Sequence, residues 1–583
     1  MNKIHYIKVT FLSFIALVVS SCLNLDPLAE MGDNLVWDKA ENFQLYANQF
    51  YGWTRDFQMG DNNYGAGTSD GPHSDYRSDL IATSSVNTYS QGTNTIPAED
   101  KNYTTLYTRI YYTNLLLDKA QSFGDQAAIA ISVAEAKFFR AYLHFELVQM
   151  YGNTILLMKP LDISSGELYG TRDDRSVVID QIVKDLQDAA GALPETASEA
   201  GRLTKYAALG MLSRVALFEG TWQKFHTGGS EATTNTARST ELLTIARNAA
   251  KDVITGGKHK LFHSEVLDTA SYRYMFILED AAQCNPANLS KKDNTEYILA
   301  HRHRDGDNLG TNITHGMQAN VCYITRKMAN MYLCSDGLPI SKSPKFKGYV
   351  GPTDEFEERD MRMHTTLLKE KQVYWNNDGK WRTKWNKEDF ETGNYLTANV
   401  LSNSGYQNNK WAVERQVADY FESIDYPVIR YAEVLLNYAE ATYELSGSIS
   451  NTDLDISLNL VRQRVNPKMP KLSDSFVSTN GLSMREEIRR ERTVELFLEG
   501  FRIDDLKRWA TAKVEMPQDQ LGVKVSGTWF ETNWSAQSSK LNSEGCIILK
   551  DGRTWSDKLY LYPLPSDQLQ LNPQLGQNPG WTN

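Results

Sequence analysis

The chain is predicted to be mainly α: a scaffold of stacked helix pairs carrying a loop-rich, irregular face and a few short strands. Three observations point there. Apolar residues recur at helical spacing through 103–257 and again through 426–509. The stretches 56–100, 261–425 and 512–583 lose that periodicity and are rich in Gly, Asn, Ser, Asp and aromatic residues. With 41% hydrophobic and 23% charged residues, the 583-residue chain has ordinary globular composition and ample length for a large core.

A first helix is expected from about Trp37 to Trp53, with Phe43, Ala47 and Phe50 on one face. Residues 56–100 then read as a long loop, a kind of segment that in compact proteins is functional or unstructured. Helices are expected at 103–120, 131–152, 175–193, 204–220 and 239–257, with Thr204 and Ser239 as N-caps and Gly152 as a helix end. Within 131–152, Ala134, Phe138, Ala141, Phe145 and Val148 form one apolar stripe. Ala207, Ala208, Gly210 and Ala216 allow close approach between helices, and stacked two-helix units of this kind are tetratricopeptide-repeat-like, here with an irregular period. From 258 to 425 the strand-like EYILAH (296–301) sits among loops, and Asn377-Asp378-Gly379 offers turn chemistry for a hairpin over 374–390. Helices dense in Ala, Leu and Arg–Glu pairs return at 426–447, 459–466 and 485–509, before an irregular tail rich in Pro, Gln and Asn.

The N-terminus reads as a targeting segment. Lys3 and Lys8 flank the start of VTFLSFIALVV (9–19), an apolar run shorter than the ~20 residues a membrane-spanning helix needs. Val19-Ser20-Ser21-Cys22 follows, the pattern of a bacterial lipoprotein signal cut before a lipid-bearing Cys22. Residues 1–21 are thus expected as signal peptide and 22–37 as a lipid-anchored tether. Residues 38–583 form one domain, with helical-repeat parts at about 38–260 and 426–511. Acylation makes such a protein membrane-anchored rather than membrane-spanning. Asp26, Glu30 and Asp33 behind the Cys are consistent with surface export. Cys284, Cys322, Cys334 and Cys546 allow three pairings, none favoured by sequence, and their spacing is unlike a zinc site. The net charge of −11 argues against nucleic acid and against adsorption to an anionic membrane surface.

Motifs along the whole length carry a family resemblance. After Cys22 come Ala134-Glu135-Ala136-Lys137-Phe138-Phe139-Arg140-Ala141 with Tyr151-Gly152, then Asp336-Gly337-Leu338-Pro339 and Arg430-Tyr431-Ala432-Glu433-Val434-Leu435-Leu436. Glu495-Leu496-Phe497-Leu498-Glu499-Gly500-Phe501-Arg502, Tyr562-Pro563-Leu564-Pro565 and Gln577-Asn578-Pro579-Gly580-Trp581 complete the set. In this order they resemble the SusD/RagB family of Bacteroidetes outer-membrane lipoproteins. One departure is Asn153-Thr154-Ile155-Leu156, where the family usually has a Pro-Leu pair. The resemblance implies a tetratricopeptide-repeat scaffold at the outer membrane, facing out. It also implies capture of a nutrient, usually a glycan, and delivery to a SusC-like TonB-dependent transporter. It implies neither catalysis nor a cofactor. Peptide capture in the same role and a surface glycoside hydrolase are the alternatives.

Sugar rings stack on aromatic faces while their hydroxyls bond planar polar side chains. Three stretches offer that mixture: 60–91 with Tyr64, His73, Tyr76 and Tyr89; 301–316 with Arg304, Asn308 and His315; and 374–385 with Trp375 and Trp381. His301 and His303 alternate as on a strand, with Asp305 and Asp307 behind them, but a metal site needs three or more convergent ligands, and no metal is expected from this cluster. Glu491, Glu495 and Glu499 share a helical face beside Arg489, Arg490 and Arg492. Paired carboxylates serve glycosidases, but Glu beside Arg on one helix reads more simply as ion pairing.

Overall fold

The computed structural model of the protein describes residues 37–57, 70–226, 235–282, 285–304, 309–314, 322–368, 403–413, 418, 420–533 and 540–582. The fold class is as expected. Helix α1 (Ala40–Ala47) continues as a 3₁₀ segment to Trp53 and buries Phe43, Ala47 and Phe50. Five long helices follow: α2 (Lys101–Ser122), α3 (Ala130–Tyr151), α4 (Arg175–Ala192), α5 (Lys205–Phe225) and α6 (Thr236–Gly256). Each packs on its predecessor, and α7 (Tyr431–Ser446) packs on α6, so the array is a serial stack. The stripe foreseen on α3 is buried, and so is most of the rest of that helix.

Caps mark the helix starts. Asp100, Asp174 and Thr204 each accept a backbone N–H one turn in, as Ncap side chains do. Ser239 is not a cap. Asn235 caps α6, and the Ser239 hydroxyl, already inside the helix, donates to the Gly220 carbonyl of α5 at 2.7 Å. Gly220 therefore lies within α5, which runs on to Phe225. A Cβ at Gly210 would lie 2.9 Å from the Ile429 Cγ2 atom, so that glycine admits a strand against α5.

The stretch 426–447 is not a single helix. Residues Tyr426–Arg430 form a strand, antiparallel to Tyr297–His301, with His301 opposite Tyr426 and Tyr297 opposite Arg430. Arg430 keeps extended φ and ψ at the Ncap of α7, and Gly447 closes that helix in the left-handed conformation. Two further two-stranded sheets pair Ile81–Ala82 with Tyr323–Ile324 and Gln520–Lys524 with Cys546–Lys550. The 459–466 helix is α8 (Leu458–Gln463). The 485–509 stretch divides into α9 (Met484–Glu495) and α10 (Arg502–Arg508), because Leu498 and Gly500 take positive φ of 64° and 73°. The Asp75 carboxylate spans that break, accepting the Leu498 N–H at 2.8 Å and the Arg502 N–H at 3.3 Å.

The loop-rich part has its own apolar core, built on Tyr272, Phe276, Met363, Trp411, Phe497 and their neighbours. The tail is pinned to the scaffold. The Asn578 Nδ2 group donates to the Tyr151 and Tyr562 carbonyls, and Trp581 Nε1 donates to the Lys558 carbonyl. Cys322, Cys334 and Cys546 are buried free thiols, so no disulfide forms among the described residues. Among those residues no helix is long and apolar enough to cross a membrane. The anticipated hairpin over 374–390, Cys284, and everything before Trp37, including Cys22, lie outside the described residues.

Candidate functional site

The acid–base cluster of the C-terminal helices is architectural. Glu491, Glu495 and Glu499 are almost fully excluded from solvent. Their partners are not the arginines of their own helix. Glu495 bonds Arg362, Arg430 and Arg464 at 2.8–2.9 Å; Glu499 bonds Lys410 and Arg430; Glu491 faces Arg362 and Arg462. The helix's own Arg492 turns instead to Asp505, and Arg490 to Glu487. These carboxylates therefore tie separate segments together.

The segment after α1 lies beside the start of the 301–316 stretch. The chain leaving α1 brings Thr54 and Asp56 against the end of the 297–301 strand. The Thr54 Oγ1 atom lies 2.9 Å from His301 Nδ1, and Asp56 Oδ2 lies 3.1 Å from His303 Nε2 and 3.8 Å from His301 Nε2. The two imidazoles are 5.3 Å apart. Phe57 stacks on His303 and packs edge-on against Trp411 and Tyr426, which fixes the segment from below. Burial opposes charge on both rings. In His303 the Asp56 carboxylate outweighs it and raises the pKa, whereas His301 remains below its ordinary value. Burial likewise opposes ionisation of Asp56, but the His303 hydrogen bond outweighs it and holds the carboxyl below the usual range.

The predicted site residues separate into three groups. Tyr64, Asn308, His315, Trp375 and Trp381 lie outside the described residues. Arg304 is exposed beside the His301–His303 segment, its backbone N–H donating to the Leu309 carbonyl at 3.0 Å. His73 and Tyr76 are corrections: both are only 1% exposed and present nothing to a ligand at the surface. His73 is drawn inward between two acids, with Nδ1 2.7 Å from Asp504 Oδ2 and Nε2 3.0 Å from Glu146 Oε2. Burial alone would raise the Glu146 pKa, yet Arg55 and His73 hold it at about 2. Tyr89 is half-buried, with the Arg77 guanidinium 3.7 Å over its ring and the Tyr562 ring edge-on at 5.1 Å.

Sequence reasoning missed Asp56, because nothing local marks it as a neighbour of a histidine 247 residues away. It also missed a cleft of about 640 Å³ lined by Asn94, Lys558, Gln570 and Trp581, which comes together only when the tail folds back on the segment before α2.

Two family models match the chain. One, described as the SusD family, covers residues 285–581, and the other, described as starch-binding and associating with the outer membrane, covers residues 31–217. A SusD-like protein of Formosa agariphila is 31% identical over 125 residues, 20% of this chain and 23% of that relative's length. Among solved structures, a SusD-like carbohydrate-binding protein from Bacteroides fragilis aligns over 93% of this chain and all of its own, at 22% identity and TM-score 0.70. A laminarin-binding SusD-like protein aligns over the same shares at 20% identity and TM-score 0.58. The surface glycan-binding protein A of Bacteroides fluxus does so at 17% identity and TM-score 0.59. These likenesses establish the fold.

Proposed function

The chain belongs to the SusD family, and from that premise we propose that it captures a glycan at the cell surface and passes it to a SusC-like TonB-dependent transporter. The observation that carries this reading is the pair of family models along the chain, the one over residues 31–217 described as starch-binding and associating with the outer membrane. Carbohydrate binding named for structural relatives supports it. A lipid on Cys22 would tether the protein to the membrane. The helical stack would dock on the transporter, leaving the loops to the ligand. Binding is noncovalent in this reading, by ring stacking and hydrogen bonds from the candidates that remain: Tyr64, Tyr89, Arg304, Asn308, His315, Trp375 and Trp381. No catalytic step is proposed, since Glu491, Glu495 and Glu499 are committed to buried guanidinium and ammonium partners.

Affinity gels containing laminarin, starch or other soluble polysaccharides test the proposal. Retarded migration with no new reducing ends supports it, and loss of retardation in Trp375→Ala or Arg304→Ala maps the contact. Failure on every polysaccharide, with retention of peptides instead, would favour peptide capture; released reducing ends would overturn the noncatalytic reading.

A further inference from the structure

We infer that Asp56, His301 and His303 form a site for one divalent transition-metal ion of the Zn²⁺ class, clasping the segment after α1 to the end of the 297–301 strand. The hydrogen bonds behind the rings decide which atoms face the site. His303 Nδ1 is 3.0 Å from the Ile424 carbonyl oxygen, which only accepts, so Nδ1 carries a hydrogen. His301 Nδ1 is 2.9 Å from Thr54 Oγ1, which accepts from it in the tautomer that leaves the Thr54 hydroxyl hydrogen to the Tyr51 carbonyl at 3.2 Å. In that tautomer both Nε2 atoms are free to bind on the side of the same carboxylate oxygen, Asp56 Oδ2, at 3.1 and 3.8 Å. The other oxygen, Oδ1, is held by the Phe57 N–H at 2.7 Å, which sets the carboxylate's orientation.

Three ligand atoms thus converge within 4.8 Å of one another, where a divalent ion would be held by two neutral imidazoles and one carboxylate oxygen. Imidazoles whose far nitrogen is backed by a carbonyl or hydroxyl are oriented as metal-bound histidines are. Two nitrogens and one carboxylate select Zn²⁺ and its transition-metal neighbours over Ca²⁺ and Mg²⁺, which prefer all-oxygen shells. Tetrahedral bonds of about 2.0–2.1 Å place ligand atoms roughly 3.3 Å apart. The separations of 3.1 and 3.8 Å lie close to that, and all three ligand atoms fall within 4.8 Å of one another. The Asp56 side chain is 42% exposed. Asp425 holds the His303 backbone N–H at 3.0 Å, and the nearby Lys291 ammonium is paired by Asp425 and Asp280. The site does not depend on the glycan reading, since it rests on the chain's own donor atoms.

The test uses the mature chain without a polyhistidine tag, stripped with chelator and titrated with Zn²⁺ and Co²⁺ by calorimetry and visible absorption. One equivalent is expected, with the d–d bands of a low-coordinate Co²⁺ centre and no competition from millimolar Ca²⁺. Asp56→Asn, His301→Gln and His303→Gln should each weaken binding by about 100-fold or more, and Thr54→Ala by about tenfold through loss of the hydrogen bond behind His301. His263→Ala, at an exposed histidine away from the cluster, should change nothing. Far-UV circular dichroism checks that each variant is folded. The proposal is overturned if the wild-type chain takes up neither ion at 100 µM, or if folded Asp56→Asn and His303→Gln both bind as the wild type does.

Discussion

Replacing Glu495 by Gln should cost the fold about 3–5 kcal/mol, the range for breaking a buried ion pair and leaving its partner charged. Glu495 is 0% exposed, and its two oxygens accept from Arg430, Arg464 and Arg362 at 2.8–2.9 Å. Around it five cations (Arg362, Lys410, Arg430, Arg462 and Arg464) face five carboxylates (Asp360, Glu296, Glu491, Glu495 and Glu499). Burial would raise the Glu495 pKa; the three guanidinium groups outweigh that and hold it far below the ordinary carboxylate range. Each such pair, with charge centres about 4 Å apart, is worth about 4 kcal/mol at an effective dielectric near 20. Removing one carboxylate leaves the cluster with an unbalanced positive charge, and the substituted amide turns N–H groups toward a guanidinium that has only donors. Over 583 residues, at about 2.1 cal/mol/K each, the unfolding entropy is near 1.2 kcal/mol/K, so the midpoint should fall by about 2–4 °C. The assay is thermal unfolding by circular dichroism at one fixed heating rate, with Glu486→Gln as control. Glu486 lies on the same helix but is 64% exposed and only 4.0 Å from Arg489, so its loss should cost under about 0.5 kcal/mol. If the two variants unfold within 1 °C of each other, the balanced-cluster argument is refuted.

Other outcomes follow from the same structure. Glu440 bonds Arg508 and Trp509 Nε1; burial opposes its ionisation, but Arg508 outweighs it and holds the pKa at about 2 against 4.5. Since the folded value lies below the unfolded one, the stabilisation is full above about pH 4.5 and is lost as pH falls toward 2, about 3 kcal/mol in all; Glu440→Gln should flatten this acid limb in urea titrations. Asp75 shifts the other way. Burial, only partly offset by the Leu498 and Arg502 N–H groups, raises its pKa from 3.8 to about 7. Its contribution is present below pH 3.8 and lost as pH rises to about 7, so the wild type should lose a few kcal/mol between pH 5 and 8 that Asp75→Asn does not lose. Gly191→Ala, where an added Cβ meets nothing within 4 Å, should raise stability by up to about 1 kcal/mol. Gly210→Ala should instead lower the urea midpoint, because its Cβ would sit 2.9 Å from Ile429 Cγ2.

The helices were legible in the sequence because their information is local. A stripe such as Ala134, Phe138, Ala141, Phe145 and Val148 announces a helix without knowledge of what covers it. Misreadings came where a distant partner decides. Tyr426–Arg430 runs into an Ala- and Leu-rich helix, and only pairing with Tyr297–His301 makes it a strand. Ser239 has cap chemistry, yet α5 takes its hydroxyl and Asn235 caps. Ionic pairing of Glu495 was expected along its own helix, but tertiary guanidinium groups supply it. Among candidate ligand contacts, loop composition suggested solvent for His73, while Glu146 and Asp504 pull it into the core. Asp56 carried no signal at all, since its meaning comes from histidines far along the chain.

These findings connect the helical scaffold to the loop face by one physical route. Arg430 ends its strand inside the balanced ion cluster, bonded to Glu296, Glu495 and Glu499. Tyr426, at the strand's other end, donates its hydroxyl to the Glu499 carbonyl at 2.7 Å and sits opposite His301. Five extended residues span about 13–17 Å. The ladder therefore reaches from the buried charges to the Asp56–His301–His303 corner, where two loop stretches begin. A two-stranded sheet is marginal on its own; this one is fixed at both ends, by Arg430 donating to the Glu495 carbonyl and Tyr426 to the Glu499 carbonyl, and walled by α5 at Gly210. The dense Arg–Glu chemistry near the C-terminus thus has a positional role: it makes rigid the strand from which the loop face departs.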